Sequence, residues 1–274
     1  MVGDITVVPL LDAVLDNPVT EAVPGIPAEV LRQRFPDLAR ADGVLALPVT
    51  CYLVRSAGRT ILVDTGIGPR PRGDWPVGVL DRELASAGVS ADAVDVVVNT
   101  HFHGDHVGWN TIDDPDGVPK PTFGRARYYV QDAEWRHWSE PSRLFGPDAR
   151  HVRECVAPLF DTADVVIAGP TSAITRDVTL VPLPGHTPGH VGVLIQSRGE
   201  RAIVIGDASH YLAQIEEPGW SPVWDHDRRA AAATRAALFD ALEADGSLAM
   251  AGHWPHPGAG RLIRVAGRRV FAAS

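Results

Sequence analysis

The segment Thr100-His101-Phe102-His103-Gly104-Asp105-His106 decides how the rest of the sequence is interpreted. Four of its seven residues carry imidazole or carboxylate groups, which are common ligands of first-row metals. The residues just before it, 95–99 (Asp-Val-Val-Val-Asn), form a short β-branched run that is typical of a buried strand. The pattern predicts a metal-binding loop at the end of a strand, with His101, His103, Asp105 and His106 as candidate ligands. A polar surface loop is the alternative interpretation.

Three later segments repeat this arrangement of a short apolar strand followed by a histidine or an aspartate. His186 lies in the turn Pro184–His190, Asp207 follows the predicted strand 201–205, and His253 follows the predicted strand 248–251. A core histidine bonded to a backbone carbonyl would explain any one of these positions. It does not readily explain all of them, so we expect the four strand ends to meet at one site.

Asp64 ends an earlier predicted hairpin, which is formed by residues 49–55 and 60–63. A single carboxylate followed by glycines usually marks a turn. Here it is also a candidate acceptor that orients a histidine ligand.

The remaining pattern predicts short strands and several helices around these positions. Strands are expected at residues 5–11, 127–130, within 165–181 and at 191–196, and helices at 28–40 (broken near Pro36), 79–87, 131–138, 149–160 and 228–244. The segment 17–48 is rich in proline, which favours either a lid or dimer contact or a surface excursion that only packs.

Composition limits the class of protein and its partners. The chain has 274 residues, 45% of them hydrophobic, and a formal net charge of -9. The acidic balance argues against a nucleic-acid partner, which would need a basic face.

Cys51 and Cys155 are too few for a disulfide framework, although a single bridge between them stays open. The N-terminus resembles no export signal and no run is long enough to span a membrane, so we expect a cytoplasmic protein.

In combination, these motifs resemble those of the metallo-β-lactamase-fold hydrolases. The resemblance covers most of the chain from about Ile5 onward. It implies an α/β fold, a four-layer αββα sandwich, with one or two metals at the edge of the two sheets. We therefore expect residues 1–274 to form a single domain of this type.

The resemblance also implies a role for each candidate. His101, His103 and His186 match the ligands of a first metal, and Asp105, His106 and His253 match those of a second. Asp207 matches the carboxylate that bridges them, and Asp64 matches the aspartate beside the ligands. His190 and His256 are nearby histidines that the resemblance ranks below His186 and His253.

Two divalent metal ions, zinc foremost with manganese, iron or cobalt also compatible, are the implied cofactors. One such metal can lower the pKa of bound water to about 7, which makes hydroxide available at neutral pH. The implied activity is a hydrolysis in which a metal-bridging hydroxide attacks a lactone or carboxylic ester, and no serine or cysteine nucleophile is required.

Departures from particular branches narrow the choice. His103 stands where the flavodiiron branch has a glutamate, which disfavours an oxygen-reducing di-iron centre. The main class of zinc β-lactamases has a cysteine ligand, and this sequence has no cysteine near Asp207, which disfavours that class. No appended domain with a basic cluster follows, as glyoxalase II would require, and the acidic charge disfavours RNA processing. The remaining resemblance is to N-acyl homoserine lactonases and to methyl parathion hydrolase-like enzymes.

His210 is the position where the lactonase branch has a tyrosine three residues after the bridging aspartate. The histidine could donate a hydrogen bond to the developing oxyanion or protonate the leaving alkoxide, or it could only line the pocket. His210 is thus one catalytic candidate. Asp105, a candidate ligand of the second metal, is the other.

Two alternatives to the lactone or ester hydrolase stay open. One is a phosphotriester hydrolase that uses the same metals on a phosphoryl centre. The other is a metal-bound protein that does not catalyse a reaction, such as a binding or biosynthetic accessory protein. For either hydrolase we expect a small, neutral and partly apolar substrate, no nucleic-acid or membrane partner, and a possible homodimer.

Overall fold

A computed structural model describes residues 1–274, which form fourteen strands and nine α-helices. The strands are β1 (Thr6–Pro18), β2 (Val44–Ser56), β3 (Arg59–Val63), β4 (Val96–Val98), β5 (Thr111–Asp113), β6 (Pro119–Pro121), β7 (Arg127–Gln131), β8 (Asp164–Ala168), β9 (Val178–Pro182), β10 (Val191–Ser197), β11 (Glu200–Val204), β12 (Leu248–Met250), β13 (Ala259–Val265) and β14 (Arg268–Ala273). The helices are α1 (Val19–Ala22), α2 (Ala28–Arg34), α3 (Leu80–Ser86), α4 (Gly104–Val107), α5 (Asp132–Ser139), α6 (Pro141–Leu144), α7 (Arg150–Cys155), α8 (Leu159–Thr162) and α9 (Arg228–Asp245). Short 3-10 turns cover Ala91–Ala93, Pro147–Ala149, Gly206–Ala208 and Leu212–Ile215.

Twelve of the strands form two six-stranded sheets. The first has the order β1-β2-β3-β4-β7-β8 and the second has the order β14-β13-β12-β11-β10-β9, while β5 and β6 pair by themselves. The first sheet begins as an antiparallel meander and continues with parallel neighbours from β3 to β8. In the second sheet only β11 and β12 are parallel neighbours.

Side-chain alternation along the strands builds the layers. In β2, Tyr52 and Val54 point into a core between the two sheets, whereas Cys51 and Leu53 point to the outer face of the first sheet. This is the two-residue period of a strand, and both faces are apolar because both are covered.

Helices cover the two outer faces. Leu80 and Leu84 of α3 pack on the first sheet, and Leu238, Phe239 and Leu242 of α9 pack on the second. The architecture is therefore helix, sheet, sheet, helix, and the predicted four-layer αββα sandwich is confirmed.

Helix α9 has the ends that its sequence predicts. Asp227 accepts a hydrogen bond from the Ala230 amide at the N-terminus, and Gly246 adopts the left-handed conformation, with φ +66°, at the C-terminus.

Several predicted boundaries were wrong. Strand β1 continues to Pro18 and β2 begins at Val44, so both extend beyond the strands predicted at 5–11 and 49–55 and enter the proline-rich segment 17–48. The helix predicted over 149–160 is two helices, α7 and α8, because Pro158 has no amide hydrogen to continue the first. The hairpin of β13 and β14 was not predicted.

The two cysteines are both buried and both free. The single disulfide between Cys51 and Cys155 that the sequence left open therefore does not form.

The strands that precede the candidate ligands all end at the same edge of the sandwich. Strands β9, β11 and β12 run in the same direction within the second sheet, since β10 is antiparallel to both of its neighbours. Their ends lead to His186, Asp207 and His253, and the end of β4 in the facing sheet leads to the His101–His106 loop. The topology therefore places one site at the rim between the two sheets.

The segment 17–48 packs over this rim. Leu31, Leu38, Leu45 and Leu47 form a small apolar cluster with Tyr211 and neighbouring residues. The segment thus lies beside the turn that follows Asp207, and its role as a lid or as a dimer contact stays a prediction. Among the nine helices, none combines the length and the apolar character that crossing a bilayer requires.

The core between the sheets gives a direct test of the layer assignment. Ile61 of β3 is fully buried in that core, so we expect Ile61→Ala to lower the free energy of unfolding by about 2–5 kcal/mol in chemical denaturation. Ile167 of β8 is 46% exposed, and the same substitution there should cost about 1 kcal/mol or less. Equal losses at the two positions would contradict the assignment.

Candidate metal centre

The His101–His106 loop presents its side chains through an extended turn and a single turn of helix. His101, Phe102 and His103 follow β4 without regular structure, and α4 then carries Asp105 and His106. His101 and His106 are buried, and the side chain of Asp105 is 14% exposed. Side chains from both parts of the loop reach the same space at the rim.

The first group of converging side chains consists of His101, His103, His186 and Asp207. One ligand atom from each lies within 4.8 Å of the others. Oδ2 of Asp207 lies 3.1 Å from Nε2 of His186 and 3.7 Å from Nε2 of His101. Nε2 of His186 lies 2.8 Å from Nδ1 of His103.

The second group consists of Asp105, His106 and His253, which meet the same 4.8 Å limit. Nε2 of His253 lies 3.5 Å from Oδ2 of Asp105. Oδ1 of Asp207 lies 3.1 Å from Nε2 of His106 and 3.3 Å from Nε2 of His253.

Asp207 therefore turns one carboxylate oxygen toward each group. The structure brings together all seven residues that the sequence proposed as metal ligands, and it places Asp207 between the two sets.

Unpaired polar atoms show that these residues suit a cation. Nε2 of His101, Nε2 of His106 and Oδ1 of Asp207 are buried and have no hydrogen-bond partner. A buried polar atom without a partner costs about 1–3 kcal/mol. Since all three atoms carry lone pairs and face one space, a bound divalent cation would satisfy them together. The donor set of imidazoles and carboxylates fits such an ion.

The protonation of the site also suits a cation. Burial, together with the neighbouring imidazoles, holds the pKa of His101 and of His103 well below its usual range, so both rings are neutral at pH 7. Burial opposes ionisation of Asp207, but the surrounding imidazoles, with His106 and His253 foremost, hold the pKa of its carboxyl well below its usual range. Neutral imidazoles and an ionised carboxylate are the forms that bind metals. Burial opposes protonation of His106, His186 and His253 as well, but Asp207 raises the pKa of all three rings, that of His186 to about 9. A metal would therefore displace protons from these three rings on binding.

Asp64 orients His106 in the way that the sequence suggested. One oxygen of Asp64 accepts from the Thr100 amide at 2.7 Å, and the other lies 2.8 Å from Nδ1 of His106. The hydroxyl of Thr100 also donates to Asp64 at 2.9 Å and lies 3.1 Å from Nδ1 of His101. Asp64 thus fixes His106 directly and His101 through Thr100, so that Nε2 of each ring faces the site.

His186 is oriented by a buried pair that the sequence analysis missed. Nδ1 of His186 lies 2.9 Å from Oδ1 of Asp225, and Oδ2 of Asp225 lies 3.3 Å from Nη2 of Arg235 on α9. Arg235 also donates to the carbonyls of Ala208, Pro218 and Trp220. It therefore holds the loop between Asp207 and α9 in place. No sequence motif marks either residue, because the pairing depends on how that loop folds back.

His253 is held by the backbone of the segment 17–48. Its Nδ1 donates to the carbonyl of Pro48 at 2.7 Å, which leaves Nε2 facing Asp105 and Asp207.

The two histidines ranked lower lie outside the ligand set. Nδ1 of His190 donates to the Leu183 carbonyl and its Nε2 accepts from the Asp207 amide, both at 2.9 Å. Burial and the charge of His186 lower its pKa to about 3, so it stays neutral and holds the backbone of Asp207. His256 is exposed. Both positions agree with the ranking.

His210 lies on the same side of Asp207 as the first group. Its Nε2 lies 3.2 Å from Oδ2 of Asp207, and both ring nitrogens are buried without a hydrogen-bond partner. Its ring packs 5.6 Å from that of Trp224. His210 thus faces the centre of the site, where it can contact a bound molecule.

A cavity of about 810 Å³ opens over both groups. Its apolar wall includes Leu15, Leu47, Trp75, Val223 and Trp224. A second cavity of about 500 Å³, with a mainly polar lining that includes His137 and Arg143, adjoins it at His103 and Trp224. A third cavity of about 350 Å³ is mainly apolar and shares Leu47 and His253 with the first. The site therefore has a polar extension on one side and an apolar extension on the other.

The role of Asp64 yields a prediction. Asp64 has φ +59°, a conformation that asparagine tolerates, so Asp64→Asn should fold while weakening the hold on His106 and Thr100. We expect the affinity for Zn²⁺ to fall by about 10–100-fold in a chelator competition assay. Asp114 caps an exposed turn by accepting two backbone amides, and Asp114→Asn should leave the affinity unchanged. Unaltered affinity in Asp64→Asn would contradict the orienting role.

Comparison with known proteins agrees with this geometry. The family model described as the metallo-beta-lactamase superfamily matches residues 44–253. A protein of Mycobacterium tuberculosis named as a probable metallo-hydrolase is 26% identical over 197 residues, which is 63% of this chain and 60% of that protein. An N-acyl homoserine lactonase of Bacillus cereus is 26% identical over 192 residues, 64% of this chain and 69% of the lactonase.

The fold is also found among solved structures. AidC, described as a dizinc quorum-quenching lactonase in complex with a product, superposes with a TM-score of 0.84 at 22% identity, covering 100% of this chain and 96% of AidC. The chain spans 60% of the length of the mycobacterial relative. Since the family model covers most of the sequence, the chain belongs to the metallo-beta-lactamase superfamily.

Proposed function

We propose that the protein is a two-metal hydrolase that cleaves a lactone or a carboxylic ester. The observation that carries the proposal is the position of Asp207, which directs one buried oxygen to each group of ligands. A carboxylate in this position can bind two cations at once. The similarity to lactonases supports the substrate class, and zinc is the metal that we expect.

The seven candidate ligands would bind two metal ions. His101, His103 and His186 would hold one ion, Asp105, His106 and His253 the other, and Asp207 both. When bound, two divalent ions supply a hydroxide at neutral pH and polarise the carbonyl of the substrate. Asp64, Asp225 and the Pro48 carbonyl keep the imidazoles in the orientation that this chemistry needs.

His210 is the candidate for contact with the substrate. Its unpaired ring nitrogens face the space beside Asp207, where a reacting carbonyl would lie. An N–H in this position can donate a hydrogen bond to the oxygen on which negative charge develops, which stabilises the transition state. We propose this role for His210, whereas Asp105 would act by holding one of the metals.

The walls of the cavity support a small and partly apolar substrate. Trp75 and Val223 are 38% and 45% exposed and line the cavity above the ligands. Exposed apolar side chains at a cleft favour contact with an apolar part of a ligand. The apolar extension beside Leu47 and His253 offers further room for such a part.

Metal analysis combined with a substrate screen tests the proposal. The purified protein should bind close to two equivalents of Zn²⁺ and should hydrolyse a γ-lactone or an aryl ester. Chelation should abolish turnover, and added Zn²⁺ should restore it, because the reacting hydroxide depends on the metals.

The other outcomes of the screen are distinct. Turnover confined to neutral phosphotriesters would assign the protein to that class instead. Two bound metals with no turnover of any lactone, ester, thioester or phosphotriester would favour a protein that binds without catalysis. Little bound metal after reconstitution would contradict the two-metal centre.

His210 is tested by separating turnover from metal binding. His210→Phe keeps a ring in the cavity but removes the N–H, so we expect kcat to fall by about 100-fold with metal content unchanged. His256 is exposed and outside the site, and His256→Phe should leave kcat unchanged. A loss of metal that parallels the loss of activity would show instead that His210 is a ligand.

Two further proposals concern the whole protein. We propose a cytoplasmic location and a homodimer in which segment 17–48 contributes to the contact. Size-exclusion chromatography coupled to light scattering tests the second.

A further inference from the structure

Glu134 of α5 is a buried acid that the proposed reaction does not use. It is fully buried, and its hydrogen-bond partners include no arginine, lysine or histidine. A buried carboxylate without a cationic partner is costly unless hydrogen bonds satisfy it. Its partners therefore indicate why it is there.

Three N–H groups satisfy the carboxylate. Oε1 accepts from the amide of Phe102 at 3.0 Å and from the indole of Trp138 at 2.9 Å. Oε2 accepts from the amide of Gly189 at 3.0 Å. Each oxygen thus holds a different segment of backbone.

The two backbone donors belong to the two loops that carry the three histidines of the first group. Phe102 lies between His101 and His103, and Gly189 lies in the turn that begins just after the strand leading to His186. The single carboxylate of Glu134 therefore bridges the loop of His103 to the loop of His186. The facing nitrogens of those two histidines lie 2.8 Å apart.

The His186–His190 loop packs directly against the backbone of Glu134, so closely that only glycine fits at position 189. A Cβ atom added to Gly189 would overlap the backbone nitrogen and the Cβ of Glu134. Trp138, which donates to the same carboxylate, also packs edge-on to the ring of His103 at 6.2 Å. Glu134 thus bonds to both loops that carry histidines of the first group, and also to Trp138, which packs against His103.

We propose that Glu134 is a positioning residue that sets the spacing between the His101–His103 loop and the His186–His190 loop, and thereby the metal affinity of the first group. The proposal rests on the two-metal function proposed above. Asp105 and His106 of the second group follow Phe102 in the same loop, but they lie on α4, and Asp64 orients His106 separately. Because no residue of the second group bonds to Glu134, its metal affinity should not depend on Glu134.

Glu134→Gln is the variant that tests this role. Glutamine has the same shape but only one acceptor oxygen, so its NH2 group must face either Gly189 or the Phe102 and Trp138 donors. One of the two loops is then repelled instead of held. The metal-free protein should lose some stability, but the main effect should appear in metal binding.

The measurement is a Zn²⁺ titration in competition with a colorimetric chelator. We expect one equivalent to bind about 10–100-fold more weakly in Glu134→Gln than in the unmodified protein, and the other equivalent to keep its affinity. Glu134→Asp retains both oxygens on a shorter side chain, so it should weaken the same equivalent by a smaller factor.

Asp12 provides a matched control. Its carboxylate is also buried and also accepts from two backbone amides and one indole, those of Ile67, Leu80 and Trp109. None of these donors belongs to a ligand loop. Asp12→Asn should therefore lower the midpoint of chemical denaturation while leaving both Zn²⁺ affinities unchanged.

The outcomes separate this proposal from the proposed function. If the unmodified protein binds two equivalents and Glu134→Gln binds both with the same affinities, the positioning role is wrong and the two-metal function stands. Equal weakening of both equivalents, or the same pattern in Asp12→Asn, would show a general structural role and would also overturn it. An unmodified protein that binds no Zn²⁺ would overturn both proposals. If Glu134→Gln does not fold, the same comparison between Glu134→Asp and Asp12→Asn decides.

Discussion

The carboxylate of Asp207 is the constraint on which the rest of the site depends. It is almost completely buried, it is ionised, and histidines surround both of its oxygens. An anion in such a position needs compensating positive charge, because its burial costs several kcal/mol. In the metal-free protein, protons on His106, His186 and His253 supply part of it, because Asp207 raises the pKa of these buried rings. A pair of divalent cations would complete the balance, and the fold can be understood as the means of bringing their ligands to one rim.

Three of the ligand histidines are each oriented by a different kind of contact with a group behind the ring. A carboxylate orients His106, a carboxylate paired with a buried arginine orients His186, and a backbone carbonyl orients His253. Each contact occupies the ring nitrogen that faces away from the site. The rings are thus fixed before any metal arrives, which reduces the entropy lost on binding.

Much of the fold and of the candidate site could be predicted from the sequence. Short apolar strands that end in histidine or aspartate indicated the rim, and the seven residues named from them converge in the structure. The residues that support them could not be found in this way. Asp225, Arg235 and Glu134 act through loops that meet only after folding, and no spacing in the sequence records that meeting. The hairpin of β13 and β14 did carry a signal, since Ala266-Gly267 is a two-residue turn with positive φ at both positions.

Leu47 and His253 line both the metal cleft and the apolar cavity beside it. Most of the wall of that cavity comes from residues 34–38 and 45–47, which contribute no metal ligand. Mutations in this wall can therefore reshape the space for the substrate while the ligand loops stay intact. In the proposed hydrolase, the residues that shape most of this cavity and the residues that hold the metals therefore lie on separate stretches of the chain, so that specificity can change in evolution without loss of the metal ligands.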